Sequence, residues 1–257
     1  NVTPDSFSDG GDNFDTATAV ARGKAMLEAG ATIIDVGGES TRPGAAPVSP
    51  AAETARVVPV IAELVRCGAV VSIDTRHATT MVAAIAAGAA IVNDVTALSG
   101  DPAALYVVAQ SGASVILMHM QGEPHSMQLN PAYDFAPLDV YDALAERVAV
   151  CVGAGISMNR ICVDPGIGFG KTLPHNLHIL ARLGLYHSLG CPVLLGVSRK
   201  SFVGQISGET GPKQRLPGSL AAAQVGLDQG VQILRVHDVA ETRQAVSVWQ
   251  AIRREAV

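Results

Sequence analysis

The sequence predicts a single (β/α)8 barrel of the TIM type that spans residues 1–257. Short β-branched apolar runs alternate with longer Ala/Leu-rich segments, and polar residues follow almost every apolar run. The length of 257 residues is close to the roughly 250 that such barrels need. The chain is 48% hydrophobic and 16% charged, a composition that excludes intrinsic disorder. We find no linker and no second domain.

Seven apolar runs are predicted to be strands. They are almost continuously hydrophobic, which is typical of parallel strands that are buried on both faces. In chain order they are Thr32–Val36, Ala69–Ile73, Ala90–Val95, Ser114–Met118, Arg160–Val163, Pro192–Val197 and Gln232–Val236.

Eight segments between these runs are predicted to be helices. The first is Asp15–Ala29, where Asp15 can cap the start and Gly30 ends the helix. Several of the others also end at a glycine, and the next strand begins within a few residues. They are Pro50–Cys67, His77–Ala87, Pro102–Ser111, Pro137–Ala154, His175–Leu189, Gly218–Gln229 and Ala240–Arg254.

Alternating strands and helices predict right-handed βαβ units and a parallel sheet. A doubly wound open sheet would place its ligand at one switch point, using two or three strand ends. Polar chemistry at almost every strand end instead favours a barrel. Because the sequence starts at Asn1 without a methionine, we expect that most of the first strand is missing and that the chain is a truncated or partly ordered form of a longer one. The barrel would then have two open edges.

Charge and hydropathy exclude several classes of protein. The net charge is −5 and no basic stripe is present, which argues against nucleic-acid binding. No apolar stretch of about 18 residues could span a membrane, and the N-terminus does not have the pattern of a secretory leader. The scattered cysteines lack a CxxC pair, so we expect reduced thiols in a cytoplasmic protein. They are Cys67, Cys151, Cys162 and Cys191.

The polar residues at the strand ends predict a ligand with two different ends. Charged groups are costly to bury unless they are paired or used. The acceptors and amides suit a flat heterocycle that is rich in N–H groups, whereas the cations suit phosphate or carboxylate oxygens. The first set is Asp35, Asp74, Asn93 and Asp164, and the second is Arg42, Lys200, Arg235 and His237.

A glycine-rich string, 166–172, looks like a phosphate-binding P-loop but departs from that motif. Pro165 stands where the motif requires its first glycine, and Pro174 falls where the following helix should already continue. We interpret the string as a loop whose glycines let the backbone approach a flat ligand, with Phe169 packing against that ligand.

Taken together, these motifs resemble the dihydropteroate synthases of the pterin-binding barrel family. The matching strings occur in the family's order along the whole chain. They are 1–11, 35–43, 72–75, 93–94, 118–122, 164–171, 198–201 and 235–239.

The resemblance implies an activity. Family members join p-aminobenzoate to 6-hydroxymethyl-7,8-dihydropterin diphosphate and release diphosphate, by an SN1-like path through a pterin methylene cation. It also implies Mg²⁺ as a cofactor, inhibition by sulfonamides and a homodimer. The apolar last helices, with Val225, Val246 and Trp249, are weakly consistent with a dimer.

The resemblance further implies a role for individual residues. Catalysis would depend on Lys200, Arg235, His237 and Asp74. The pterin would be held by Asp74, Asn93, Asp164 and Lys200, with Asp35 in support and Met118 at the floor. The diphosphate would contact Asn1, Thr41, Arg42, Arg235 and His237, with Asn1 acting through the metal. The p-aminobenzoate pocket would contain Thr41, Arg42, Pro43, Phe169, Lys200 and Ser201. Two loops, Thr3–Gly11 and Gly38–Gly44, would close over the site.

Three other functions remain open from the sequence. A corrinoid-dependent methyltransferase of the same pterin-binding class is one, although Thr41–Pro43 and Ser198–Ser201 argue against it. A paralogue that binds pterin without turnover is the second. A barrel aldolase that forms a Schiff base at Lys200 is the third.

Overall fold

The computed structural model describes residues 1–2, 16–40, 48–123 and 126–255. Within these residues it contains seven strands. They are β1 (Ile33–Gly37), β2 (Val70–Asp74), β3 (Ile91–Asp94), β4 (Ser114–Met118), β5 (Ile161–Asp164), β6 (Leu194–Leu195) and β7 (Ile233–Leu234).

Nine α-helices alternate with these strands in the described part of the chain. They are α1 (Thr16–Glu28), α2 (Pro50–Arg66), α3 (Ala78–Ala86), α4 (Ala104–Gln110), α5 (Ala136–Gly153), α6 (Leu173–Leu180), α7 (Ser201–Ser207), α8 (Leu216–Asp228) and α9 (Val239–Glu255). Short 3-10 helices cover Met158–Arg160, Leu183–Leu189 and Pro212–Arg215.

The strands follow one another around an α/β barrel. β1 to β5 form a parallel sheet in chain order, and β6 pairs in parallel with β7. A parallel bridge between Val163 and Val193 connects the two sheets. No strand lies between β7 and β1 among the residues described, but the backbone N–H of Val2 donates to the carbonyl of Gly37 at 2.7 Å. The barrel prediction is therefore confirmed.

The interior of the barrel contains a small apolar layer that is separate from the core between the strands and the helices. Ile116, Cys162 and Leu194 pack together there, with Ile91 and Ile233 against them. Because side chains two residues apart along a strand point the same way, the next inward positions lie one layer above this floor. Those positions carry Met118, Asp164, Gly196, Asn93 and Arg235. The apolar layer thus supports the polar residues at the carboxyl ends of the strands.

A second, larger core lies between the strands and the helices. The inner face of α2 buries Val57, Ile61 and Leu64 almost completely. The helix begins at Pro50, and the Ser49 hydroxyl accepts a hydrogen bond from the N–H of Ala52. The cap and the N-terminal proline determine where the helix starts, and its apolar stripe determines which face packs on the sheet.

Two helical predictions were wrong in detail. α7 was not predicted, since its seven residues include Gly204 and follow directly on the polar end of β6. The predicted helix His175–Leu189 is two elements, α6 and a 3-10 helix, because the backbone at Arg182 leaves the helical region at φ −137°. Three strands, β3, β6 and β7, are shorter than predicted, whereas the other four have the predicted lengths.

Among the helices in the described residues, none is both long enough and apolar enough to cross a membrane.

Candidate active site

The strand register gathers the predicted acceptors at one rim of the barrel. Gly37 is opposite Asp74, and Asp74 is opposite Asn93 on the next strand. Met118 is likewise opposite Asp164. The carboxyl ends of β1 to β5 therefore present these side chains side by side, as the sequence predicted.

Arg235 connects the end of β7 to β1 and β2. Its Nε donates to Oδ2 of Asp35 at 2.6 Å, and its Nη2 donates to Oδ2 of Asp74 at 2.7 Å. The side-chain amide of Asn93 also donates to Oδ2 of Asp35, at 3.2 Å. The Arg235 side chain remains 41% exposed, so an incoming anion can still reach it.

These contacts set the charges of the cluster. Burial raises the pKa of Asp74 to about 7, against the opposing effect of Arg235, and the neighbouring Asp35 raises it further. Asp35, and then Asp74, raise the pKa of Arg235. Oδ1 of Asp35 is buried and has no hydrogen-bond partner in the described part of the molecule. The cluster thus holds a permanent cation and a buried acceptor that a ligand N–H could satisfy.

Lys200 and Asp164 form the other half of the rim. Nζ of Lys200 donates to the carbonyl of Ile167 and lies 4.8 Å from the centre of the Phe169 ring. Burial lowers the pKa of Lys200 to about 8, although the nearby Asp164 favours the ammonium. Burial raises the pKa of Asp164, and Lys200 opposes that rise. Oδ1 of Asp164 accepts from the N–H of Gly166 at 2.7 Å.

The segment between β6 and α7 orients Lys200. Arg199 has a left-handed backbone, with φ of 60°, and its N–H donates to the Ser219 hydroxyl at 2.8 Å. Its guanidinium forms a two-pronged ion pair with Asp238, at the end of β7. The carbonyl of Arg199 also accepts from Nη1 of Arg215 at 3.1 Å. A left-handed residue that is held by three such contacts is typical of a constrained functional loop.

The remaining predicted residues in the described part of the chain lie around this rim. His237 is exposed, and both its N–H and its Nδ1 contact the Ser198 hydroxyl, at 3.2 and 3.0 Å. Phe169 is half-buried, and Ser201 is exposed at the start of α7, directly after Lys200. Met118 is 5% exposed beneath them.

Asn1 lies next to the Arg235 cluster. The charges of Arg22, Arg235, Asp35 and Asp74 all act on its backbone nitrogen. The amide oxygen of Asn1 is of the class that Mg²⁺ takes as a ligand, and this ion often takes only one or two protein ligands and completes its shell with water and phosphate oxygens.

Three predicted residues, Thr41, Arg42 and Pro43, lie outside the described residues, as do the loop 3–11 and most of the loop 38–44. The described start of the second loop is firmly held. Glu39 forms a two-pronged pair with Arg76, at 2.9 and 3.1 Å. The carbonyl of Gly38 accepts from Arg56 at 3.1 Å.

The glycine loop differs from the sequence-based interpretation. A Cβ at Gly166 would lie 1.9 Å from the carbonyl oxygen of His119, and one at Gly170 would lie 2.3 Å from that of Gln121. These two glycines make room for the protein's own backbone rather than for a flat ligand. The interpretation was wrong for them because a sequence does not show which segment packs against a loop.

Sequence reasoning also missed two side chains beside the site. Ser198 holds His237, and Lys171 lies buried beneath the glycine loop. Lys171 is part of the string 166–172, which was compared with the P-loop motif. Because the string does not fit that motif, the comparison gave its lysine no role.

The fold and the rim define a barrel protein whose strand ends suit an anionic ligand with a polar, hydrogen-bonding end. The family profile described as "Pterin binding enzyme" matches residues 1–237. Dihydropteroate synthase from Escherichia coli K12 is 48% identical over 252 residues, which cover 98% of this chain and 89% of that protein.

Two solved structures agree with this comparison. Dihydropteroate synthase from Xanthomonas albilineans with 4-aminobenzoic acid is 46% identical, with a TM-score of 0.93 over 98% of this chain and 90% of that one. The Yersinia pestis enzyme in complex with a sulfonamide drug is 47% identical, with a TM-score of 0.93 over 99% and 92%. The chain belongs to the dihydropteroate synthase family of pterin-binding enzymes.

Proposed function

We propose that this protein condenses p-aminobenzoate with 6-hydroxymethyl-7,8-dihydropterin diphosphate to give 7,8-dihydropteroate and diphosphate, a step of folate biosynthesis. The observation that carries the proposal is the rim itself. Buried acceptors and an exposed cation meet there, with Arg235 bound to both Asp35 and Asp74. The arrangement suits a substrate with an N–H-rich ring and a diphosphate.

The pterin ring is assigned to the deep side of the rim. The unpaired Oδ1 of Asp35 and the carboxyl groups of Asp74 and Asp164 can accept from ring N–H groups, and Asn93 can both donate and accept. Lys200 supplies a donor on the same side, and Met118 forms the apolar floor. A buried acceptor without a partner costs about 1–3 kcal/mol, so a ring N–H that donates to Oδ1 of Asp35 would offset that cost.

The diphosphate is assigned to the exposed side. Arg235 and His237 face solvent there, and Thr41 and Arg42 are further candidates on sequence grounds. Mg²⁺, held by the Asn1 amide oxygen, would supply charge that stabilises the leaving diphosphate. The guanidinium of Arg235 donates hydrogen bonds where negative charge develops as the C–O bond breaks.

An SN1-like path suits these residues. Departure of diphosphate leaves a pterin methylene cation, and carboxylates beside the ring stabilise that positive charge. The arylamine nitrogen of p-aminobenzoate then forms the new C–N bond and loses its proton to solvent. The path therefore requires preorganised charges rather than a strong general base.

The p-aminobenzoate pocket is assigned to Phe169, Lys200 and Ser201, together with Thr41, Arg42 and Pro43. The ring of Phe169 already lies beside the Lys200 ammonium, which can attract a carboxylate. A sulfonamide resembles p-aminobenzoate in shape and charge, and we expect such a compound to compete for this pocket.

Calorimetry with the pterin diphosphate tests the deep side of the site. Asp74→Asn should bind that ligand at least about tenfold more weakly than the unaltered protein, because each lost charge-assisted hydrogen bond is worth about 1.5–3 kcal/mol. Equal affinity would reject the assigned pocket. Methyl transfer from a methylated reduced folate would instead favour the methyltransferase, and a borohydride-trapped adduct at Lys200 would favour the aldolase.

We also propose a homodimer and a cytoplasmic location. Support for the dimer is the exposed apolar side chains on the last two helices, among them Val225 and Val248. Support for the location is that the four cysteines are free thiols, three of them buried.

A further inference from the structure

Lys171 is a buried cation to which the proposed reaction gives no role. Its side chain is 3% exposed, between Gly170 and the start of α6. A lysine is almost never fully buried unless its charge is balanced, so its surroundings need an explanation. Its hydrogen-bond partners in the described residues are carbonyl oxygens and a ring nitrogen, not a carboxylate.

Four acceptors surround the Nζ atom of Lys171. It donates to the carbonyls of Gly166 at 3.0 Å, Phe169 at 2.9 Å and His119 at 3.2 Å, and it lies 3.0 Å from Nδ1 of His119. Burial, reinforced by the Lys171 charge, lowers the pKa of His119 to about 3, so this ring is neutral and its Nδ1 can accept. Burial lowers the pKa of Lys171 well below its usual value, Asp164 opposes that change, and Lys200 reinforces it.

These contacts fix the glycine loop, which we define as residues 166–170. The carbonyls of Gly166 and Phe169 belong to the loop, and that of His119 belongs to the segment beneath it. Between the two loop carbonyls, the N–H of Gly168 donates to Oδ1 of Asn176 at 2.7 Å. The Nζ atom of Lys171 therefore connects both ends of the loop to His119, which directly follows β4.

The loop in turn holds Lys200. The carbonyl of Ile167 accepts from Nζ of Lys200, and the Phe169 ring lies 4.8 Å from the same atom. Any shift of the loop therefore moves two of the groups that surround Lys200. Small displacements of this kind have large kinetic effects, about 10²-fold for roughly 1 Å in well-studied enzymes.

We propose that Lys171 is a positioning residue: its ammonium group fixes the glycine loop and so places the Phe169 ring and the Ile167 carbonyl against Lys200. The effect of Lys171 on the order of the glycine loop does not depend on the proposed function. The effect on p-aminobenzoate binding rests on the proposed function, in which Phe169 lines that pocket.

Hydrogen exchange of the loop amides tests the first part without substrate. Lys171→Met removes every donor but keeps an unbranched side chain of similar length. We expect the amides of Gly166, Gly168 and Phe169 to exchange at least about tenfold faster, because local opening becomes easier. The matched control is Arg160→Met, which removes a cation that donates to the carbonyls of Val108 and Ala113 at the other end of β5. The control should leave loop exchange unchanged.

Steady-state kinetics test the second part. In Lys171→Met the KM for p-aminobenzoate should rise about tenfold and by a larger factor than the KM for the pterin diphosphate, since Phe169 is assigned to p-aminobenzoate alone whereas Lys200 is assigned to both substrates. Wild-type exchange in the folded variant would overturn the proposal whether or not the protein is active. Faster exchange without a difference between the changes in the two KM values would overturn the proposed link between Lys171 and p-aminobenzoate binding. Should Lys171→Met not fold, Lys171→Gln should still raise loop exchange above that of the Arg160→Met control, because its shorter side chain and two N–H donors cannot serve all four acceptors. Exchange equal to that of the control would overturn the proposal.

Discussion

At the scale of single residues, a small number of cations balances the charge of the buried carboxyl groups in the site. In the described part of the chain Arg235 forms ion pairs with both Asp35 and Asp74, and Lys200 is the cation with the largest effect on Asp164, ahead of Arg235 and Lys171. Each cation therefore has two functions in the proposed reaction. It balances the charge of the buried carboxyl groups, and it contacts the substrate.

Replacing Arg235 should remove the donor aimed at the leaving diphosphate. We expect Arg235→Met to lower kcat by about 10²–10³-fold, the usual loss for one preorganised donor. Product formation at saturating substrates is the measurement. Arg182→Met is the control, because Arg182 lies 5.3 Å from the Phe135 ring, away from the rim. Turnover equal to the control would contradict the assignment.

The charge of Lys200 should set the alkaline limit of activity. Its pKa is lowered to about 8, so the ammonium loses its proton as the pH rises through that value. The rate constant kcat/KM should therefore fall above about pH 8. In Lys200→Arg the cation persists to a pH above about 12, and that fall should disappear even though the rate is lower. An unchanged alkaline limb in the variant would argue against Lys200.

At the scale of elements, the glycine loop and the ends of β6 and β7 give the site its shape. Gly166, Gly168 and Gly170 all have left-handed backbones, with φ of 66°, 86° and 58°. The ion pair of Arg199 with Asp238 connects the ends of β6 and β7 in the same way that Lys171 connects the loop to β4. Rigid connections between strand ends keep the rim preorganised.

A methyl group on Gly166 should disrupt this loop. Gly166→Ala combines a positive φ with a contact of 1.9 Å to a backbone oxygen, so we expect a loss of at least about 2 kcal/mol in the free energy of unfolding. Denaturant titration measures it. Gly112→Ala is the matched control, because a Cβ there meets nothing within 4 Å. Equal stability of the two variants would show that the loop tolerates a side chain.

The sequence predicted the barrel and the strand-end residues well because both follow from local patterns. Asp74 and Asp164 directly follow apolar runs and Asn93 lies near the end of one, and parallel strands bring such ends together. The pairing of Arg235 with Asp35, 200 residues apart, depends on closure of the barrel, which no local pattern shows. The role of Lys171 was hidden for the same reason, since His119 lies 52 residues away.

At the scale of the whole molecule, the charged rim and the exposed apolar side chains of the last two helices are separate features of the surface. The rim occupies the carboxyl ends of the strands, as in barrel enzymes generally. Val225 on α8 and Val248 and Ile252 on α9 are 45%, 56% and 65% exposed. Such side chains on neighbouring helices suit an interface away from the rim.

The proposed homodimer can be tested by sedimentation. The chain has a mass of 26.4 kDa, and we expect the particle to have twice that mass. Val248→Glu should shift the equilibrium towards the monomer, because a charge in an apolar interface costs several kcal/mol. A single-chain mass for the unaltered protein at micromolar concentration would contradict the proposal.

Release of diphosphate is the measurement that tests the proposed function most directly. The unaltered protein should release diphosphate and form 7,8-dihydropteroate only when the pterin diphosphate, p-aminobenzoate and Mg²⁺ are all present. Omission of any one, or addition of a saturating sulfonamide, should abolish the formation of 7,8-dihydropteroate. Tight binding of the pterin diphosphate without any release in the complete mixture would contradict the account and would identify a pterin-binding protein without this activity.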